Sequence, residues 1–430
     1  MKKLLIILMS LGTLLLAFAC SSPQTEEREV NYDENKVPSY TLPDPLVAAD
    51  GSRISDAAAW TGKRRGEVLK LFQEQMYGRS PGKPDGISSR TIDSTLVLDG
   101  LAVRKQVVLT VEQNGKTLDI GVLLYLPAAA TGPSPAFMGL NFNGNQSITD
   151  DPGLVLNANW MRPNEERGVV DNRATEKSRG HAMSRWQVEK IVKRGYAVVT
   201  AYYGDIDPDY DDGFQNGIHP LFYMQGQTKP AADEWGSIGA WAWGLSRMLD
   251  YLETDAGVAQ DRVAVLGHSR LGKTALWAGA QDKRFAGVIS NNSGCGGAAL
   301  SRRCFGETVA IINTSFPHWF CGNFKQYNNN EDALPLDQHE LIALVAPRPV
   351  YVASAVEDRW ADPRGEFLSL KNASPVYELF GVKPVTSDWP AVDHPLTGRM
   401  SYHVRSGGHN VTDYDWDQYL NWADNNIPVN

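Results

Sequence analysis

The 430-residue sequence has few cysteines, few histidines and only one short basic run, and each shortage narrows the range of functions. Its four cysteines and eight histidines form neither a paired Cys-x-x-Cys motif nor a histidine cluster, so the ligand spacing of a zinc site is missing. The net charge is -9 and the basic run covers only residues 63–65, which argues against nucleic acid as a partner. No internal repeat is present. We therefore expect a globular protein without a metal, acting on a neutral or polymeric substrate.

The first twenty residues, MKKLLIILMSLGTLLLAFAC, have a positively charged start, an apolar run and small residues, which is the pattern of an export signal. Ala17-Phe18-Ala19 before Cys20 resembles a bacterial lipobox, so we expect lipidation of Cys20. Cleavage by an ordinary signal peptidase is the alternative. In either case we expect an exported protein. With lipidation it would be a periplasmic or outer-membrane lipoprotein of a bacterium that contacts the membrane only through this anchor.

Three segments are expected along the chain. Residues 1–20 are the signal, residues 21–39 have the polar, acidic composition of a flexible tether, and residues 40–430 form one folded domain. The cysteines that remain after the signal are odd in number, which is uncommon in an oxidising compartment. They form either one disulfide at most or three buried thiols: Cys295, Cys304 and Cys321.

The middle of the chain changes from an antiparallel to a parallel β pattern. Residues 103–111 and 118–126 are largely apolar and are joined across Asn114-Gly115, a pair typical of a hairpin turn. Short apolar runs then alternate with helical patterns, which indicates parallel strands buried on both faces. We therefore predict an α/β-hydrolase fold, a three-layer sandwich with a mostly parallel central sheet and crossover helices. The predicted parallel strands are residues 136–141, 197–203, 263–267, 287–290 and 349–353; the predicted helices include residues 60–76 and 235–252; and residues 150–179 are expected at the rim of the site.

Residues 262–273, RVAVLGHSRLGK, place a serine between a predicted strand and a predicted helix. In this fold such a turn presents the nucleophile of a serine hydrolase, because Gly267 lets the backbone turn sharply while Ser269 is directed outward. The common elbow is Gly-x-Ser-x-Gly, whereas here the fifth position is Leu271 and the second glycine is Gly272. We predict Ser269 as the nucleophile of an unusual elbow.

A serine nucleophile needs a histidine base, which comes last in the chain order of this fold. His409 lies in the glycine-rich segment RSGGHN after an apolar run, and we predict it as the base. His403 lies within that run and is expected to be packed or to support the site from behind. His268 adjoins Ser269 and is expected to pack beneath the turn, because adjacent elbow residues point apart.

The acid that orients the base is expected in the loop after the strand at residues 350–353. We predict Asp358, with Glu357 as the alternative and Asp362 as a loop-capping residue. The oxyanion of the reaction needs hydrogen-bond donors, and Arg270 supplies the backbone N–H that follows the nucleophile. Its guanidinium is expected either to bind the oxyanion as well or to pair with an acid as scaffolding.

The segment GHSRLGK at residues 267–273 resembles the Gly-x-Ser-Arg-x-Gly-Lys signature of the glucuronoyl esterases, carbohydrate esterase family 15. SGCGG at 293–297, WADP at 360–363 and GGH at 407–409 extend the resemblance over most of the chain from residue 136. It implies a serine esterase that hydrolyses the ester between 4-O-methylglucuronoyl groups of xylan and lignin alcohols by a Ser-His-Asp acyl-enzyme mechanism, without a metal or organic cofactor. The implied partner is glucuronoxylan or a lignin-carbohydrate ester, and we expect a monomer.

The same resemblance implies three substrate-binding residues. Lys273 would bind sugar hydroxyls, Glu307 would accept a hydroxyl hydrogen bond and Trp360 would pack on the uronate. The structural alternatives for these residues are a surface lysine, a salt-bridged glutamate and a rim aromatic.

The chain departs from the family at two places. Asn292 stands where many members carry the catalytic glutamate, which favours the members whose acid lies on the later loop, in agreement with Asp358. His268 and Asn410 stand where fungal members have a disulfide, which indicates a bacterial-type member.

Two other functions stay open. An acetyl xylan esterase or a broad carboxylesterase on the same fold would have the same triad. A surface glycan-binding protein without turnover belongs to a different class. The implied sugar-binding residues favour a sugar on the acyl side of the ester, and the complete triad favours turnover.

Overall fold

The computed structural model describes residues 29–429. The predicted signal at residues 1–20 and residues 21–28 of the predicted tether lie outside the described residues. Within the described part of the chain, no helix is both long enough and apolar enough to cross a membrane.

The described part of the predicted tether contacts the folded domain. Asn31 O accepts a hydrogen bond from Gly306 N at 2.8 Å, and Glu34 Oε1 accepts one from Arg303 Nη2 at 2.7 Å. The Tyr32 ring meets another ring edge-on, with the two centroids 6.2 Å apart. Residues 31–34 therefore pack against the folded domain.

A mixed β-sheet forms the centre of the described chain. Its strands are β1 (Gly86–Val97), β2 (Ala102–Gln113), β3 (Lys116–Pro127), β4 (Ser134–Asn141), β7 (Ala197–Tyr202), β8 (Val258–His268), β9 (Gly287–Asn291), β10 (Val350–Ala355) and β11 (Met400–Arg405), while β5 (Val169–Val170) and β6 (Arg173–Ala174) form a separate hairpin. The strand order is β1-β2-β3-β7-β4-β8-β9-β10-β11. Pairing is antiparallel from β1 to β7 and parallel from β7 to β11.

Helices cover both faces of this sheet and create two hydrophobic cores. They are α1 (Ala57–Ala59), α2 (Arg65–Gln75), α3 (Val188–Lys193), α4 (Ser237–Leu252), α5 (Arg270–Gln281), α6 (Val309–Ser315), α7 (Gln338–Ala343), α8 (Pro363–Glu378) and α9 (Asp413–Asn426). Successive residues of β4 point to opposite faces: Met138 joins the larger core with α4 and α5, and Phe137 packs against Trp416 of α9 in the smaller core. The predicted α/β-hydrolase fold with three layers is confirmed.

The predicted hairpin is formed by β2 and β3. Asn114 and Gly115 both have positive φ, 53° and 71°, as the tight turn between the strands requires. The edge strand β1 was not predicted, because its side chains are polar and mostly exposed and therefore lack an apolar pattern. The five predicted parallel strands are confirmed as β4, β7, β8, β9 and β10.

Two features near the sheet's carboxyl edge bear on the site. Residues 142–187 form a long connection between β4 and α3, and residues from it line a cavity beside Ser269. Cys295 and Cys321 are both buried free thiols, so no disulfide joins any two of the three late cysteines.

Candidate active site

Ser269 lies at the sharp turn between β8 and α5. Its backbone has φ +58° and ψ -130°, a conformation that costs energy for a residue with a side chain, and its N–H donates to Asn291 O at 2.9 Å. A Cβ on Gly267 would lie 1.9 Å from Leu271 O, so only glycine fits there. Leu271, which replaces the usual second glycine, is buried in the larger core. At Gly272 instead, the backbone of α5 passes close to a neighbouring side chain, since a Cβ there would lie 3.0 Å from Ser293 Cβ.

The structure brings His409 and Asp358 together. His409 Nδ1 lies 2.6 Å from Asp358 Oδ2, and the side chains are 43% and 5% exposed. Asn292 Nδ2 donates to the same oxygen, Asp358 Oδ2, at 2.7 Å. Asn292, which the resemblance noted above aligns with a catalytic glutamate, therefore supports Asp358. Ser269 and His409 line the same cavity.

The other two carboxylates of this loop lie in different surroundings. Glu357 is exposed, and its backbone N–H donates to Gly407 O at 3.1 Å. Asp362 accepts hydrogen bonds from Arg303 Nε at 2.8 Å and from Gly365 N at 2.9 Å, at the start of α8. Asp362 thus caps a helix, and only Asp358 of the three contacts His409.

His268 packs beside the predicted base. Its ring centroid lies 4.4 Å from that of His409, and its Nδ1 lies 2.6 Å from Asn291 Oδ1. Burial, together with the positive charge that His409 can carry, lowers the pKa of His268 well below its ordinary value. His268 is therefore neutral and can support the His409 ring without competing for its proton.

His403 is buried and belongs to the support of the His409 loop. Its Nε2 lies 2.9 Å from Asp415 Oδ1, and Asp415 Oδ2 accepts from Arg405 Nε at 2.8 Å. The Arg405 guanidinium also donates to Gly408 O at 3.0 Å and to Asn410 O at 2.5 Å. Carbonyl groups on both sides of His409 are thereby fixed. Arg405 was not predicted from the sequence, because its role depends on a loop that folds around it.

Arg270 forms an ion pair with an acid, which is one of the two predicted alternatives, and binding of the oxyanion by its guanidinium stays a prediction. Its Nη1 donates to Asp209 Oδ2, while its buried Nε has no hydrogen-bond partner among the described residues. Asp209 Oδ1 accepts from His318 Nε2 at 3.0 Å and Trp319 Nε1 at 2.7 Å. Although burial opposes ionisation, the hydrogen bond from His318 and the charge of Arg270 hold the pKa of Asp209 well below its usual range. The ion pair thus orients Arg270 and leaves its buried Nε without an acceptor among the described residues.

Asp209 was not predicted from the sequence. It precedes Ser269 by sixty residues, and its only local signal is its place in an acidic segment, Asp205 to Asp212, soon after β7 ends. Carboxyl ends of parallel strands meet at one sheet edge, where this fold places its sites, so this signal could have made Asp209 a candidate.

The three residues implied in substrate binding form a chain of contacts. Lys273 is not a surface lysine: its side chain is 5% exposed, and Nζ donates to Ser293 O at 2.5 Å and lies 3.7 Å from Glu307 Oε2. Burial raises the pKa of Glu307, and the charge of Lys273 opposes that shift. Glu307 N donates to Trp360 O at 3.0 Å, and Trp360 is 41% exposed. A buried cation and carboxylate therefore lie beside an exposed aromatic ring.

Comparisons with known proteins agree on one family. A family model described as "Glucuronyl esterase, fungi" matches residues 182–381. The carbohydrate esterase MZ0003 from an unknown prokaryotic organism is 50% identical over 94% of this chain and 93% of its own length. A 4-O-methyl-glucuronoyl methylesterase of the fungus Phanerochaete carnosa is 27% identical over 85% of this chain and 76% of its own.

Solved bacterial structures are similar over nearly the whole described chain. A structure described as a promiscuous CE15 esterase from the marine bacterial metagenome has a TM-score of 0.87 and 50% identity, covering 93% of this chain and 100% of that one. The glucuronoyl esterase from Solibacter usitatus has a TM-score of 0.85 and 48% identity, covering 91% and 99%. The chain is therefore a carboxylic ester hydrolase that belongs to carbohydrate esterase family 15, the glucuronoyl esterases.

Proposed function

We propose that this protein hydrolyses the ester between 4-O-methylglucuronoyl groups of xylan and lignin alcohols through a Ser-His-Asp acyl-enzyme mechanism. The observation that carries the proposal is the 2.6 Å contact between Asp358 and His409 beside the cavity that Ser269 also lines. The names of the relatives support the glucuronoyl part of the substrate.

The first half of the reaction forms an ester on the enzyme. His409 Nδ1 is held by Asp358, so Nε2 is the nitrogen that accepts the Ser269 hydroxyl proton as Oγ attacks the ester carbonyl. The resulting oxyanion has two candidate donors on Arg270: its backbone N–H in the first turn of α5, which lacks an acceptor within the helix, and its unpartnered Nε. Collapse of the intermediate breaks the bond to the alcohol, which leaves with the proton from His409.

The second half releases the uronate. His409 takes a proton from water, the hydroxide formed attacks the glucuronoyl ester of Ser269, and Ser269 regains its proton from His409. The Asp358 carboxylate stabilises the imidazolium that forms in each half.

The substrate is recognised on the acyl side of the ester. Lys273 can donate hydrogen bonds and Glu307 can accept them. Because the two side chains are buried side by side, they can bind neighbouring sugar hydroxyls with little competition from water. Trp360 offers an exposed ring for packing on the uronate. We also propose, from residues 1–20, that the enzyme acts outside the cytoplasm of a bacterium as a lipoprotein.

The test compares two esters with purified protein that begins after Cys20. We expect cleavage of benzyl glucuronate, little cleavage of an acetylated sugar, and loss of both activities in Ser269→Ala. Preference for the acetyl ester would point to an acetyl xylan esterase or a broad carboxylesterase. A protein that binds glycans without reacting with a fluorophosphonate probe at Ser269 would be a non-catalytic binding protein.

A further inference from the structure

The cavity beside Ser269 is strongly basic. Its volume is about 240 Å³, and its lining includes four arginines and no carboxylate from the described residues. Arg270 is the one already paired with Asp209. The other three, Arg162, Arg167 and Arg185, form no ion pair with a carboxylate in the described chain. The positive charge of these three arginines therefore lies in the same cavity as Ser269, although the net charge of the whole protein is -9.

Arg185 and Arg167 act on each other. Arg185 is half-buried, and Nε donates to the neutral Asn410 Oδ1 at 2.7 Å. Burial and the positive charge of Arg167 lower the pKa of Arg185, so the two guanidinium groups repel each other in the same cavity. An anion bound between them would remove this repulsion and replace the hydration that burial takes away.

Arg270 lines the basic cavity and also contacts an aromatic ring that does not line it. Its guanidinium lies 4.8 Å from the centroid of a Trp319 ring and 5.5 Å from that of Phe142. Lys273 Nζ lies 5.9 Å from a centroid of the same indole, and neither Lys273 nor Trp319 lines the basic cavity, whereas Phe142 does. If the acyl group binds near Lys273, as the proposed function requires, the alcohol of the ester points into the basic cavity.

We propose that the preferred alcohol is a ring-sized group that carries a carboxylate, which binds Arg167 and Arg185. A guanidinium binds a carboxylate through two parallel hydrogen bonds, and neither Arg167 nor Arg185 is paired with a carboxylate of the described residues. Phe142, Met161 and Val169 also line the cavity and offer apolar surface to the carbon skeleton. The volume suits one ring rather than an oligomer. This inference rests on the proposed function and extends it from the acyl group to the alcohol.

The experiment uses matched glucuronate esters of 3-carboxybenzyl alcohol and of the neutral 3-carbamoylbenzyl alcohol, with benzyl glucuronate as the reference. We expect kcat/KM to be about tenfold higher for the carboxylate than for the amide, and this ratio to fall as KCl is added. Arg167→Gln and Arg185→Gln should bring the ratio close to one, and Arg185→Lys should restore part of it. Arg173→Gln is the matched control, because Arg173 is exposed in the same connection and does not line the cavity.

The outcomes separate this inference from the proposed function. If benzyl glucuronate is cleaved but the carboxylate ester is not preferred over the amide, the inference is wrong and the proposed function stands. An equal ratio in Arg185→Gln and in the unchanged protein would also overturn it. If no glucuronate ester is cleaved while an acetyl ester is, both proposals fail together.

Discussion

Asp358 and Glu357 are neighbours in sequence, yet their side chains have opposite surroundings. Asp358 is buried and accepts hydrogen bonds from His409 and Asn292, whereas Glu357 is exposed. We predict that Asp358→Asn lowers kcat on benzyl glucuronate by about 10³- to 10⁴-fold, because an amide favours the wrong tautomer of His409 and cannot stabilise its charged form.

The control for this prediction is Glu357→Gln. It should change kcat less than about twofold, because the Glu357 side chain is exposed and does not contact His409. Both variants keep the size of the original side chain, so a change in packing contributes little. A large loss in Glu357→Gln together with an active Asp358→Asn would assign the acid to Glu357.

At the scale of elements, one buried carboxyl joins the ends of β9 and β10 to α8. Glu366 of α8 accepts hydrogen bonds from Ser293 N at 2.7 Å, Gly294 N at 2.9 Å and Ser354 Oγ at 2.6 Å. Burial raises the pKa of Glu366 to about 8, with the charge of Asp358 acting in the same direction and the hydrogen bonds opposing it. The group that fixes these three elements is therefore largely protonated at neutral pH.

This raised pKa makes the protein less stable as pH rises. Between the ordinary value of 4.5 and about 8, the folded chain holds a proton that the unfolded chain has released. The contribution of Glu366 to the free energy of unfolding is thus fully present below pH 4.5. It falls by about 1.4 kcal/mol per pH unit between pH 4.5 and about pH 8. We predict that Glu366→Gln, which mimics the neutral acid, gains Tm relative to the unchanged protein as pH rises from 5 to 8. A Tm difference that is constant over this range would show that Glu366 does not titrate there.

At the scale of the whole molecule, the N-terminal segment supports the acyl side of the site. Asn31 and Glu34 bond to the loop before Glu307, and the Arg359 guanidinium lies 5.2 Å from the Tyr32 ring centroid, next to Trp360 in sequence. We predict that a chain starting at Tyr40 has a lower Tm and a higher KM for benzyl glucuronate than one starting at Glu29. The lost contacts contribute about 1–3 kcal/mol. Identical Tm and KM values in the two proteins would mean that this segment has no such role.

Much of the molecule could be predicted because its signals are local. The buried parallel strands are apolar runs, the Asn114-Gly115 turn has its own residue types, and the chain order of the fold directed attention to Asp358 and His409. The missed features depend on distant contacts. Strand β1 has no apolar face, and Asp209 and Arg405 acquire their partners only when separate loops fold together. A polar edge strand and a pair of distant contacting residues leave no local pattern in a single sequence.

The docked N-terminal segment would also limit the distance between the active site and a membrane if Cys20 is lipidated, as proposed above. Ten residues separate Cys20 from Asn31, and the eleven Cα-to-Cα steps between them span no more than about 40 Å when fully extended. Asn31 is fixed next to the loop that carries Glu307. If Cys20 is lipidated, the rim of the acyl site would remain within that reach of the lipid surface. Such an enzyme would act on polymer that has already reached the cell envelope.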